Sequence, residues 1–468
     1  MNKDISNSTS KGYLFPVPKS FKYGLFGPAI ILLAFGQATG ELIHWPYLIM
    51  SYGLFFLFLL LPACLIQYPT FVFLARHTLL SGESHLLILS KINKFYAVFA
   101  WVIFILTSIW IASYTASGGI ALAKLYSTIS NTPVDLASVG KYSALLINTI
   151  FFIILISLPK TYRFIKGLMS TIAILSLFVV IILFVVTVYK KGLDTQFIYS
   201  IFDIKTSFPD DWVRTDAKLL LTAIVFSGLG GLWNILYSVW LSQEEMGMSN
   251  QNSKDYLKYR KNIIKVSQCR ESIFNYTKAM SLIKRDLWIG IGGNTSMILM
   301  IAYIVYVSFP SGMAAPAGLG IITSLGDAVS YDSLVMASIF YVFIGLFLID
   351  TWVTAADSLS KLHANMTISF LKTIDKEEHR AKVLYLVFLF GMLIMTFISS
   401  FIARPEQLNY LNGVLSMFGA SILIIGLFLV ERYYVINLPS FPKHTTIKFF
   451  LILTFIIYSS IGVAFCLL

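Results

Sequence analysis

The chain has 468 residues and a net charge of +12; 57% of it is hydrophobic and 12% charged, about half the charged share of an average soluble domain. That excludes a protein lying mostly in water, and apolar runs of about 17 to 25 residues recur along almost the whole length, leaving no room for a sizeable soluble domain. The positive excess falls between those runs, so it reads as membrane topology and not as a nucleic-acid footprint.

Residues 1–22 are polar, carry Pro16 and Pro18, and lack a short apolar core followed by a small-residue cleavage site. They are expected to be a retained, flexible cytoplasmic tail. Eleven spans are expected after it, at 24–51, 54–75, 95–123, 142–158, 165–189, 218–242, 287–308, 333–356, 383–403, 409–430 and 446–467. The runs are long and uniformly apolar instead of alternating over about ten residues, so the class is an all-α polytopic membrane protein. With the N-terminus inside, every Lys and Arg falls on the inner side except Lys124, Lys141, Lys190, Lys191, Lys205, Arg214, Lys218 and Arg404. This asymmetry is the positive-inside pattern of a multi-pass protein of the cell membrane.

The expected divisions are a first five-helix repeat over 23–190, an outer loop over 191–217, a second repeat over 218–431, and an additional helix over 446–467. Within the second repeat, the inner segment 244–285 carries nine basic residues interleaved with Tyr256, Leu257, Tyr259, Ile263, Ile264, Ile273 and Phe274. It is either a solvated basic loop or an amphipathic helix on anionic lipid. The outer loop mixes signs and is expected to be an ordinary connection. Cys64, Cys269 and Cys466 are scattered and form neither a disulfide framework nor a metal-ligand spacing.

Two spans are interrupted. The first carries Gly36 and Gly40 about halfway along, and the sixth carries Gly228, Gly230, Gly231 and Asn234 at similar depth. These are the first members of the two five-span sets, the pattern of inverted-repeat carriers whose substrate lies where broken helices meet. Unwound backbone is tolerable at such depth only around a cavity or ligand.

Glu41 lies in this stretch, and a carboxylate at the bilayer centre costs at least about 2.5 kcal/mol on insertion scales. It is therefore expected to face the interior as a hard oxygen ligand for a divalent cation or as a structural hydrogen-bonding group. His44, three residues on, shares its helical face as a second ligand, a proton carrier or the carboxylate's partner. Asp350 in span eight is a second proton candidate, with a hydrogen bond to Thr351 or Thr354 as its structural alternative. Asn409, Asn412, Ser416 and Ser421 in span ten offer neutral oxygens to a substrate or, as the default, bond between helices.

The stretch Gly27–Gly53, "GPAIILLAFGQATGELIHWPYLIMSYG", resembles the first span of the natural resistance-associated macrophage protein family of divalent-metal transporters, in its GP pair and terminal Tyr-Gly. "LIQY", Leu65–Tyr68, is similar to that family's second span, and "GLGGLWNILYSVWLSQ" to its sixth, with Asn234 and Gln243 on the family's Asn and Gln. The resemblance implies a leucine-transporter-type fold with two inverted five-helix repeats and broken helices 1 and 6. It implies a substrate site at Ala38, Gly40, Glu41, Gly228, Gly231 and Asn234.

The chain departs from the family's motifs. The metal-binding Asp, Pro, Gly and Asn fall on Ala38, Thr39, Gly40 and Glu41, while the family's Met, Pro and His fall on Gly231, Leu232 and Trp233. Losing the thioether removes a ligand that favours transition metals, and span three lacks the family's acids.

The function expected is secondary active transport of a divalent metal cation, with Glu41 as its ligand and protons as a coupled ion. The alternative keeps the fold and carries an organic cation or other small solute against Trp45, Trp233 and Tyr237; a non-transporting sensor is the third reading. No catalytic motif is present, so no enzyme and no cofactor is expected. The expected partners are the substrate and the lipid bilayer.

Overall fold

A computed structural model describes residues 12–467 except 19, 23–24, 37–39, 109–110, 159, 251–262, 264, 311–314, 317–319, 332, 371–376 and 403–404; the side chains of 40, 41, 377, 378, 405, 406, 409 and 410 are also outside the description. Among the described residues there are nine helices long and apolar enough to cross a membrane: Leu57–Ser81, Lys94–Ser130, Leu136–Ser157, Thr161–Lys191, Arg270–Ser308, Leu334–Phe370, His379–Ile402, Leu411–Asn437 and Thr445–Leu467. They are spans 2–5 and 7–11 of the expected eleven. Spans 1 and 6 are absent from that set because each is divided.

Span 1 is an α-helix over Ala29–Gly36, a π-helical turn over Gly40–His44 and an α-helix over Trp45–Tyr52. Pro46 sits in the first turn of the second helix, and without an N–H it cannot bond back into the π-helical turn that precedes it. Span 6 is a helix over Asp216–Val225, a 3₁₀ turn over Gly231–Asn234 and a helix over Ile235–Gln243. In span 6 the interruption falls on the glycines that mark it in the sequence, and the described helix of span 1 ends at Gly36 and resumes at Gly40.

The first half of span 1 packs against spans 5 and 7, and span 3 lies along span 8. A Cβ on Gly118 of span 3 would meet the Gly345 carbonyl oxygen of span 8 at 2.8 Å, so the small residue sets how closely these backbones approach.

The structure corrects three expectations. The described part of the tail is docked against the helices. Tyr13 N–H donates to the Lys265 carbonyl and Ser267 N–H to the Tyr13 carbonyl, while the fully buried Phe15 ring meets Tyr276 edge-on at 5.8 Å.

The basic segment expected as a loop to residue 285 is already span 7 from Arg270 onward. Its Tyr276, Ala279, Met280 and Ile283 are buried, so this face is occupied by protein, while Tyr256, Leu257, Tyr259 and Ile264 lie outside the described residues. Three further helices, His85–Ile92, Thr195–Ser200 and Gly320–Ser330, stand in connections where no element was expected.

Candidate functional site

Gly228, Gly230 and Gly231 hold φ values of 127°, 72° and 52°, conformations that a Cβ disfavours. Their positions also leave no room for one. A Cβ on Gly228 would press on the Gln67 amide, and one on Gly231 would collide with the Ser416 carbonyl of span 10. The glycines therefore unwind span 6 and seat it directly against spans 2 and 10.

The interruptions of spans 1 and 6 meet. A Cβ on Gly36 would lie 3.6 Å from the Gly228 backbone and 3.8 Å from Asn294 Oδ1 of span 7. Gln67 supports the unwound strand from span 2: its Nε2 donates to the Ser227 carbonyl at 2.8 Å, and its Oε1 accepts a long bond of 3.5 Å from Gly230 N–H. One side-chain amide thus replaces helical partners that the break removes. Trp45 Nε1 donates to Ser227 Oγ at 2.9 Å, tying the second half of span 1 to the same turn.

The wall beside this crossing is aromatic. Phe35 packs against Trp233 at 6.0 Å and Trp240 at 5.8 Å, and Phe104 of span 3 meets Trp233 at 5.6 Å. Asn412 of span 10 accepts from Trp233 Nε1 at 3.1 Å and donates to Tyr114 OH of span 3 at 2.8 Å. Asn412 is therefore an interhelical bridge, as is Ser421, which meets Ser459 of span 11 at 3.0 Å.

Of the sequence-predicted site residues, Gly228 lies at the crossing with Gly36, and Gly231 faces span 10 instead of span 1. Asn234 closes the 3₁₀ turn, and its buried Oδ1 has no protein partner among the described residues. Gly40 opens the π-helical turn. Ala38 and the side chains of Gly40 and Glu41 lie outside the described residues. The His44 ring stacks on Phe226 of span 6 at 6.5 Å.

Asp350 is buried on span 8 and accepts from Thr351 Oγ1 at 3.4 Å, while its second oxygen has no protein partner among the described residues. Asn409 keeps only a backbone description. Among the described residues, no three His, Cys, Asp or Glu side chains gather as metal ligands. The sequence reading gave Gln67 no role, although an amide inside an apolar span was the available signal.

The start of span 1 is anchored by acids. Asp286 of span 7 accepts from Gly27 N–H at 2.8 Å and Ala29 N–H at 3.0 Å, and between them Pro28 has no N–H to satisfy. Glu244, just past span 6, accepts from Lys22 N–H at 3.0 Å, Tyr162 OH at 2.9 Å and Lys166 Nζ at 2.5 Å. The Lys166–Glu244 pair is fully enclosed, with side chains 1% and 0% exposed.

No protein-family model matches the chain, and no curated protein sequence matches it. Solved structures do. A manganese transporter of Eremococcus coleocola, as a point mutant, superposes with a TM-score of 0.64 at 13% identity over 93% of this chain and 84% of its own. Mhp1, a nucleobase-cation-symport-1 family transporter holding bromovinylhydantoin, gives 0.57 at 14% identity over 92% and 83%. MhsT with L-phenylalanine gives 0.56 at 12% over 96% and 99%.

The chain has the leucine-transporter fold. In that fold spans 1–5 and 6–10 are the two inverted five-helix repeats and span 11 is additional. Broken spans 1 and 6 are the equivalent first helices of each.

Proposed function

We propose that the protein is a secondary active transporter, not an enzyme, which works by alternating access around the meeting point of spans 1 and 6. The observation that carries this reading is the 3.6 Å approach of a Gly36 Cβ position to the Gly228 backbone, which brings two helix interruptions together inside the protein. A break there exposes main-chain groups that a substrate satisfies. The manganese carrier, Mhp1 and MhsT share the fold, and each is named or described with a small substrate or ligand.

The substrate is a divalent cation with Glu41 as its anionic ligand, supported by Gly40, Gly228 and Asn234. Glu41 is the acid on the interrupted stretch of span 1, and the buried Asn234 Oδ1 is a neutral oxygen of the type that completes such a shell. His44 and Asp350 are the groups for coupled protons. The basic-residue asymmetry supports a cytoplasmic N-terminal face in the cell membrane, with 23–190 and 218–431 as the repeats and the exposed basic residues of the 244–285 segment toward anionic lipid.

A second reading is favoured by one observation. The described wall at the crossing is Phe35, Phe104, Trp233 and Trp240, which suits an organic cation by cation–π attraction.

Uptake into proteoliposomes separates these readings, comparing wild type with Glu41→Gln across manganese, magnesium, calcium and a panel of organic cations. Metal uptake that falls to background in Glu41→Gln is the expected result. Wild-type protein that is folded yet moves no metal overturns the metal substrate, and uptake untouched by Glu41→Gln removes Glu41 from the site.

A further inference from the structure

Asp357, in the N-terminal-face half of span 8, is 1% exposed, so its charge needs a partner inside the protein. Lys361, one helical turn on, supplies it: Nζ lies 2.7 Å from Asp357 Oδ2 and also donates to Gln243 Oε1 at 2.8 Å. Tyr385 OH of span 9 donates to Asp357 Oδ1 at 2.9 Å. The ammonium thus sits between a carboxylate of span 8 and an amide oxygen at the end of span 6. It joins span 6 to span 8.

A cavity of about 310 Å³ opens beside this joint, lined by Lys361, Gln243, Ser84, Ser249 and Asn365, among others. The hydroxyls of Ser84 and Ser249 are buried there, at 4% and 3% residue exposure, with no protein partner among the described residues. Leu87, Val239 and Leu362 share the cavity wall with these polar groups and with the Glu83–Lys91 ion pair, and a cavity of that size holds water and admits small ions. The oxygens around the Lys361 ammonium are one carboxylate and one neutral carbonyl, with a phenol oxygen beside the carboxylate. One negative charge among oxygen donors balances a single positive charge.

We propose that Asp357 and Gln243, with Tyr385 holding the carboxylate, form a binding site for a monovalent cation, reached through this cavity and occupied in the present conformation by the protein's own Lys361. When spans 6 and 8 separate, Lys361 gives up Gln243, and a cation from the cavity takes its place beside Asp357. The site is distinct from the crossing of spans 1 and 6 and does not depend on what that crossing carries.

Thermal unfolding of the full-length protein in detergent tests this, followed by tryptophan fluorescence in choline chloride with ammonium or potassium chloride titrated in. Lys361→Ala is expected to melt earlier than wild type and to regain roughly half or more of the loss as the small cation saturates the emptied site. Wild type and Asp357→Asn/Lys361→Ala are expected to show no saturable shift. A Lys361→Ala protein that responds no more than wild type, or a double variant that responds equally, overturns the proposal.

If Lys361→Ala yields no folded protein in choline, preparation in ammonium decides: recovery there supports the site and equal failure overturns it. In a Glu41→Gln background the recovery is expected unchanged, so loss of metal uptake at the crossing leaves this result standing.

Discussion

Single residues decide how the sixth span is broken. Gln67 spans the gap with one amide, and Gln67→Leu leaves the Ser227 carbonyl without its 2.8 Å partner in a buried setting. Such an orphaned group costs about 1 to 3 kcal/mol, so a lower melting temperature together with weakened substrate binding is expected. An unchanged melt would mean that water replaces the amide. Gly231→Ala is expected to be worse, because φ is 52° and a Cβ would strike the Ser416 carbonyl. Folded yield in size-exclusion chromatography checks it.

Gly228, Gly230 and Gly231 were legible in the sequence because glycine clusters are unusual inside an apolar span. Gln67 stood in a quoted motif, but nothing local tells an amide that faces a helix break from one that faces a neighbour.

Elements are held in place by acids at their ends. Asp286 accepts both free N–H groups at the start of span 1, and its replacement by Ala is expected to cost about 1 to 2 kcal/mol, as loss of a helix cap does. Faster amide hydrogen exchange over residues 25–36, with span 7 unchanged, is the readout. The GP pair at 27–28 now has a physical reason: Gly27 leaves room for the carboxylate, and Pro28 removes the donor that would otherwise compete for it.

The connection between spans 10 and 11 carries a pH dependence. Burial, chiefly, with help from Lys284 and Arg76, lowers the His444 pKa from 6.5 to about 4. The unfolded chain then binds more protons between those values, so stability is full above about pH 6.5 and declines toward pH 4. His444→Gln is expected to remove that limb from a plot of melting temperature against pH; a limb that persists assigns it elsewhere.

Across the whole molecule the two faces differ. On the face opposite the N-terminus, Leu42, Leu183, Ile301, Leu325, Val329 and Phe343 close around a void of only about 10 Å³, with the helix Gly320–Ser330 as part of the wall. On the N-terminal face the cavity reaching Lys361 holds about 310 Å³. Between these two cavities the contrast is the one that an end state of the proposed alternating access would give, apolar contact on one side and open space on the other. With Cys269 and Cys466 replaced by Ser, Asn365→Cys is expected to react with a bulky maleimide and Leu325→Cys to stay protected. Substrate that reverses this order would be direct evidence of the exchange between states; equal reactivity of both positions would overturn the closed-face assignment.

Hydropathy by itself determined the class, the eleven spans and the two interruptions, since bilayer thickness and backbone hydrogen bonding in an apolar medium constrain local sequence directly. The cost of a carboxylate at that depth also marked Glu41 and Asp350. Local patterns ended there. The helix at Gly320–Ser330, the extension of span 7 to Arg270 and the docking of Phe15 depend on partners far along the chain. The meeting of Gly36 with Gly228, the reach of Gln67 and the sharing of Lys361 between Asp357 and Gln243 were decided by the tertiary structure alone. Each is a contact between different spans, and a side chain's neighbours on other helices follow from packing, which periodicity along one helix does not encode.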